Sequence, residues 1–313
     1  DATAPYLNGP RPGSLQMTAL KGPDDARRHV NYWADQGATS FKAYMQITRA
    51  DLGAAIDEAH KRKLKVTGHL CSVTLGEAAD LGIDNLEHGF AAATDFFATK
   101  QPDVCPGQGP GQQSVVATDL AGAPFQALVK KLVDKKVALT STLTVFETFT
   151  PGRPVPPGLD VLVSELKTQF ETSYQRVQGS QNSVYKQLFP KMMALELAFH
   201  KAGGMLVAGT DPTGSGGVIP GYANQRQIEL LVEEGLTPLE AIKVSTFNGA
   251  KYLGRDATIG SIAVGKQADL MLVSGNPSVT IGDVRKVDTV FRKGIAYDPE
   301  KLVSSVRGKV GIW

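Results

Sequence analysis

The sequence predicts an α/β fold in which a parallel sheet is covered by helices, with a small β structure appended after about residue 255. Three observations carry this expectation. Short apolar runs that end on polar residues alternate with amphipathic segments, the rhythm of strand–helix units that pair in parallel. Of the 313 residues, 42% are hydrophobic and 20% charged, an ordinary globular balance in a chain long enough to bury a large core. Towards the C-terminal end, short β-rich runs separated by turn residues replace that rhythm.

The elements follow in order. Gly22-Pro23-Asp24-Asp25 opens a helix that runs through Trp33 and closes at Gly37. Thr39 to Met45 reads as a buried strand with Lys42 inside it, and Arg49 to Lys63 as an amphipathic helix. Leu64 to His69 is a second strand ending on a histidine. Thr74 to Leu81 is helical, and Gly82 to Gly89 is a third strand carrying His88 near its end. Lys100 to Gln113, rich in Pro, Gly and Gln, reads as a long loop within an insertion over about 94–118. Leu120 to Lys135 is a helix and Val137 to Thr144 a strand of β-branched character. Residues 148–190 are too long for a simple connection and predict an inserted helical excursion. Lys191 to Lys201 is helical, and Met205 to Asp211 a strand ending on an aspartate; helices follow over Ala223 to Glu234 and Pro238 to Phe247. The last strands are expected at Gly260 to Lys266, Ala268 to Val273 and Val287 to Tyr297. The organisation is therefore an α/β portion over 1–255 and C-terminal strands over 256–313.

Composition narrows the function classes. The 33 basic and 31 acidic residues leave a net charge of +2 with no basic run, so neither nucleic acid nor an anionic membrane is called for as partner. No apolar stretch has the length of a membrane span. Cys71 and Cys105 form no zinc-type cluster; one bridge and two unpaired thiols both remain open. The chain starts at Asp1 without a signal-like segment, so localisation stays open between periplasmic or secreted and cytoplasmic.

Four residues stand out chemically. Lys42, His69, His88 and Asp211 each lie at or near the C-terminal end of an expected strand, and in a parallel α/β barrel these ends share the face where active sites lie. The intervals between the first three suit one strand–helix unit each. A lone strand-end histidine is more often structural, Asp211 would also cap the turn before Pro212, and Lys42 would also snorkel outward. Four such residues at four strand ends are harder to explain in that way. An unmodified lysine between Phe41 and Ala43 is costly if buried, whereas carbamylation turns it into a carboxylate that bridges two cations.

The segments Ser40-Phe41-Lys42, Val66-Thr67-Gly68-His69, Leu86-Glu87-His88-Gly89 and Ala208-Gly209-Thr210-Asp211 resemble strands four, five, six and eight of the amidohydrolase superfamily barrel, in its prolidase-like and imidazolonepropionase-like branch. Gly260 to Leu270 and Asn276-Pro277 resemble the entry to that superfamily's small β-sandwich. The resemblance implies a distorted (β/α)8 TIM-type barrel, strands three to eight present, with part of a β-sandwich. It implies two divalent metal ions, zinc above all with manganese or cobalt as substitutes, and N6-carboxylysine at Lys42 as their bridge. His69 and His88 then hold the second metal, and Asp211 binds the first, takes the water's proton and returns it to the leaving amine.

The bridging lysine favours binuclear hydrolases that cleave an amide beside a free carboxylate, in dipeptide-like or N-acyl amino acid substrates. Tyr44, Arg49, Tyr222 and Arg226 lie just past strand ends and are candidate contacts for that carboxylate. The family's His-x-His pair is absent: the five histidines are His29, His60, His69, His88 and His200, and the first, second and last fall in outer helices. An upstream segment or a second chain is expected to supply that strand, because a barrel lacking strands exposes sheet edges. Lactone or ester cleavage on the same scaffold and a non-catalytic barrel are the alternatives; a homo-oligomer is expected by analogy.

Overall fold

The computed structural model describes residues 2–9, 17–213 and 216–311. Its strands and helices run β1 Tyr6–Asn8, β2 Met17–Ala19, α1 Pro23–Asp35, β3 Ser40–Ala43, α2 Arg49–Lys61, β4 Lys65–Gly68, α3 Leu75–Asp80 and β5 Asn85–Glu87. They continue with α4 Gln108–Val116, α5 Ala123–Asp134, β6 Ala138–Ser141, α6 Leu143–Thr148, α7 Ser164–Gln178, α8 Tyr185–Lys201 and β7 Leu206–Ala208. The last are α9 Tyr222–Glu233, α10 Pro238–Lys243, α11 Gly249–Tyr252, β8 Leu270–Val273, β9 Val287–Arg292, β10 Ile295–Tyr297 and α12 Pro299–Val306. One sheet has the order β2-β1-β3-β4-β5-β6-β7, the other β10-β9-β8. The pairings from β1 to β6 are parallel, as expected, and the small sheet is antiparallel.

The chain divides into two compact units, Asp1–Thr140 with Ala194–Leu206, and Ser141–Met193 with Val207–Trp313. The boundary expected near residue 255 therefore falls inside the second unit. The first unit holds the largest fully buried side chains, among them Phe41, Phe90, Phe125, Phe199, Leu52, Ile56 and Leu86. Helix α2 shows why: Leu52, Ala55, Ile56 and Ala59 recur at helical spacing and are all buried, and the Thr48 hydroxyl caps the helix by accepting from the Asp51 N–H. Helix α3 starts with a capping box of Thr74 and Glu77. In the second unit, Val145, Val218 and Ala223 form one apolar cluster, and Val161, Leu162 and Ile219 another.

Several elements differ from the sequence expectation. Two short strands, β1 and β2, precede α1. Part of the expected loop Lys100–Gln113 is helix α4, because Pro110 falls in the first turn, where its missing N–H is not needed. Strand β6 stops at Ser141 and the chain turns into α6. Helix α8 begins before Pro190, and the burial of Leu188 and Phe189 shows tertiary contact overriding a local helix breaker. Gly260–Lys266 is not a strand: no neighbouring strand pairs with it among the described residues, and Ile262 and Val264 stay exposed. Cys71 and Cys105 form a disulfide with Cα atoms 4.9 Å apart. No described helix is long and apolar enough to cross a membrane.

Candidate active site

Strand register builds the site in the first unit. Lys42 on β3 is directly opposite Thr67 on β4, and Thr67 is opposite Asn85 on β5. Because alternate residues share a face, Lys42, Thr67, Asn85 and Glu87 line one side of the sheet, and Thr140 on β6 joins them. The Thr67 hydroxyl lies 3.0 Å from both Asn85 Oδ1 and Glu87 Oε1, and the Thr140 hydroxyl donates to Asn85 Oδ1 at 2.9 Å. The Lys42 ammonium is ion-paired with Glu87 Oε2 and stands 4.8 Å from the centre of the Tyr6 ring. A lysine within a strand is thus accommodated by a carboxylate and an aromatic face.

His69 and His88 follow β4 and β5 directly. Their rings meet edge to face with centroids 4.5 Å apart, and Tyr44 packs on His69 at 4.9 Å. His88 Nε2 lies 3.6 Å from Glu87 Oε2. Burial, helped by the positive charge of Lys42, pushes the His88 pKa down to about 3, so its ring is neutral at physiological pH. His88 has φ 67° and Asp211 φ 49°, two of the few residues other than glycine with a left-handed backbone. Such conformations persist where the surroundings over-determine them, often at functional sites.

Gly89, at φ +58°, prolongs the turn after His88, and a Cβ there would stand 2.0 Å from Glu196 Oε1 on α8. Gly89→Ala is therefore expected to cost about 3 kcal/mol in urea denaturation, from backbone strain plus overpacking. A loss below about 1 kcal/mol, the range of a tolerated volume change, would contradict this packing.

The expected residues thus divide. Lys42, His69, His88 and Tyr44 converge in the first unit. Asp211 lies in the second, three residues past β7, where its carbonyl accepts from the Thr213 N–H at 2.7 Å. Arg49 is committed elsewhere: its backbone N–H and Nε donate to Asp103 Oδ1 at 2.8 and 3.2 Å, and Nη1 to Glu77. Tyr222 packs on the cluster of Val161, Leu162 and Ile219. Arg226 donates to Glu147, Glu229 and Glu233. These three side chains thus have partners within their own units. As expected, His29, His60 and His200 lie on helices, and His60 pairs with Asp84 at 3.0 Å.

The Arg226 network also contains Arg153, which donates to Glu147 Oε1 at 2.9 and 2.7 Å and to Glu233 Oε1 at 2.6 Å, and Arg285, which pairs with Glu229. Glu147 is buried and serves two guanidinium groups at once. Glu147→Gln is expected to cost about 3 kcal/mol, because it leaves buried positive charge uncompensated. An unchanged urea midpoint would refute this. Burial pulls the Glu229 pKa up, but Arg285 and Arg226 outweigh it and hold it below the ordinary range; the hydrogen bond from Arg153 lowers that of Glu233. For depressed carboxylates the sign is fixed: their stabilisation is complete above the unfolded pKa, near 4.5, and is lost as pH falls below it. The cavity beside this network, lined by Glu147, Pro154, Phe170 and Tyr174, has a volume of about 20 Å³, room for water and not for an amide substrate.

Sequence reasoning missed Glu87, Thr67, Asn85 and Thr140. A signal was present: Thr67 stands two residues before His69, and Asn85 and Glu87 alternate with apolar Leu86, the period-2 mark of a polar strand face.

As for a metal, no three His, Cys, Asp or Glu side chains group as a binding site among the described residues. The donor chemistry nonetheless fits. Two imidazoles face each other, one of them held in the neutral form that ligates, and the third expected donor is a lysine, which supplies anionic oxygen only once carboxylated.

Comparison with known proteins places this geometry in context. The amidohydrolase family pattern matches residues 130–296. An adenine deaminase of Mesorhizobium japonicum is 36% identical over 89 residues, covering 28% of this chain and 15% of that protein. An imidazolonepropionase of Parabacteroides distasonis is 43% identical over 67 residues, covering 20% of this chain and 16% of that protein. The matches thus span about one sixth or less of these curated relatives. The crystal structure of a putative prolidase from Bifidobacterium longum superposes with TM-score 0.64 at 22% identity, covering 96% of this chain and 68% of that one. At that identity the likeness is one of fold, and it is the TIM-barrel-like α/β fold expected from the sequence.

Proposed function

This chain belongs to the amidohydrolase family, and we propose that it works as a metal-dependent hydrolase of carbon–nitrogen bonds, with a peptide-like or N-acyl amino acid amide as substrate. The observation that carries the reading is the convergence of Lys42, His69 and His88 at the C-terminal ends of the adjacent strands β3, β4 and β5. The adenine deaminase named above acts on a carbon–nitrogen bond by its name, which supports the bond class and leaves the substrate to the site.

In this reading His69 and His88 would hold a divalent cation, and Lys42, once carboxylated, would add anionic oxygen to the donor set. Zinc suits the imidazole and carboxylate donors. Bound cations would lower the pKa of water and polarise the scissile carbonyl. The rest falls to the chain. Glu87 and Thr67 orient the Lys42 side chain, and Tyr44 supports the His69 ring. Asp211 is assigned the proton, which it accepts from the attacking water and delivers to the leaving amine.

Two measurements test this. Metal analysis of protein purified without added chelator is expected to find one to two equivalents of zinc per chain, and a metal-free protein that takes up none would sink the reading. Hydrolysis of an N-acyl amino acid is expected to exceed that of a matched lactone; the reverse preference would move the assignment to ester chemistry.

A further inference from the structure

The strongest feature outside the ligand set is a strap, residues 94–105, laid along the loops that leave β3 and β4. It is tied down at many points. The Asp95 carboxylate accepts from the Leu75 and Gly76 N–H groups at 2.9 and 2.8 Å, at the start of α3. The Thr94 hydroxyl donates to the Cys71 carbonyl at 3.0 Å, and Lys100 Nζ to the Ser72 carbonyl at 2.6 Å. Asp103, itself at φ 57°, receives the backbone N–H and guanidinium of Arg49. The Cys71–Cys105 disulfide then joins the far end of the strap to the loop after β4.

The position of that bridge matters. It closes a covalent loop of sequence separation 34 that starts two residues after His69 and contains β5, His88 and Gly89. Both imidazoles are therefore attached to the closed loop, one just before it and one within it. Cys71 is buried, whereas Cys105 is partly exposed, so a reductant reaches the pair from the Cys105 side. The non-covalent ties are made at Thr94, Asp95 and Lys100. Beyond Lys100, among the described residues, Asp103 and the disulfide tie it to the neighbouring loops.

We propose that the Cys71–Cys105 disulfide is a redox-sensitive latch, which when closed pins the strap and holds His69 and His88 in the arrangement that binds the metal. Two-electron reduction by a thiol or phosphine converts the disulfide to two thiols, releases the end of the strap and loosens the loop after His69. The metal half of this inference rests on the hydrolase reading above; the latch half does not.

The test uses the whole protein, purified without reductant, before and after treatment with a phosphine that does not bind zinc. Thiol titration should read zero and then two per chain. Limited trypsin digestion should cut the Lys100–Gln101 bond at least tenfold faster in the reduced protein, since the chain on its C-terminal side is no longer held by the disulfide. Competition with a chelator should show zinc affinity falling at least tenfold on reduction and recovering on reoxidation. Cys105→Ser should behave as the reduced protein and ignore reductant; if this variant does not fold, reduction and reoxidation of the native chain carry the test alone. Two free thiols in the oxidised preparation, or unchanged cleavage at Lys100 on full reduction, would overturn the latch. Faster cleavage with unchanged zinc affinity would overturn its link to the ligands. A chain that binds no zinc in either state, yet shows the cleavage change, would count against the hydrolase reading and not against the latch.

Discussion

Lys42→Ala is expected to lower zinc affinity at least about 100-fold and to abolish turnover, since loss of even an outer partner of a metal ligand commonly costs 10–100-fold. Lys42 lies inside a strand, largely enclosed, beside Glu87 and across from Thr67. As an amine it satisfies Glu87; as a carbamate it becomes the oxygen donor that two imidazoles by themselves do not provide. Alanine removes both roles and leaves Glu87 near His88 with no cation to face. Short carboxylic acids such as acetate or propionate, added to the variant, are expected to restore part of the bound zinc by filling the space of the carbamate. Zinc content equal to that of the native protein would refute the bridging role. Loss of zinc without any rescue, in a variant that unfolds at lower urea, would point to a purely structural lysine.

The second large effect is expected at Asp211. Asp211→Asn should leave the urea midpoint unchanged and lower turnover by about 10²- to 10⁴-fold, the usual contribution of a positioned proton-transfer group. The backbone explains why the fold should survive. Asp211 sits at φ 49°, in the left-handed region, and asparagine adopts that conformation as readily as aspartate. The substitution therefore removes the carboxylate's basicity without altering the turn after β7. Turnover close to the native value would take the proton away from this residue. A shifted urea midpoint would instead assign it to the turn before Pro212.

The placement of three candidate residues was legible in the chain. Lys42, His69 and His88 were placed at strand ends because apolar runs, helical periodicity and turn residues are local signals, and three consecutive strand–helix units repeated them. The runs that hold β8 and β9–β10 were visible for the same reason, but Val287–Tyr297 read as one stretch, without the turn at Lys293-Gly294 or the antiparallel pairing. The disulfide was not, since two cysteines 34 residues apart carry no mark of whether their Cα atoms come within bridging distance. Nor were the partners of Arg49 and Arg226. Arg49 opens α2 and Arg226 lies inside α9, well past β7, and which carboxylates meet each guanidinium depends on Asp103, from the strap, and on Glu147, from α6.

The sequence alone therefore determined the alternation of strands and helices, the parallel sheet, and which three side chains reach the same end of adjacent strands. Its periodicities are short-range, and they survive packing because burial rewards the same faces that they mark. Tertiary structure decided everything that depends on partners distant in the chain. It set the register that puts Lys42 beside Glu87, left Gly260–Lys266 outside any strand pairing among the described residues, and turned Pro110 into part of a helix. It also closed Cys71 onto Cys105. A hydrogen bond, an ion pair or a disulfide needs two groups within a few ångströms, and only the folded chain brings such groups together.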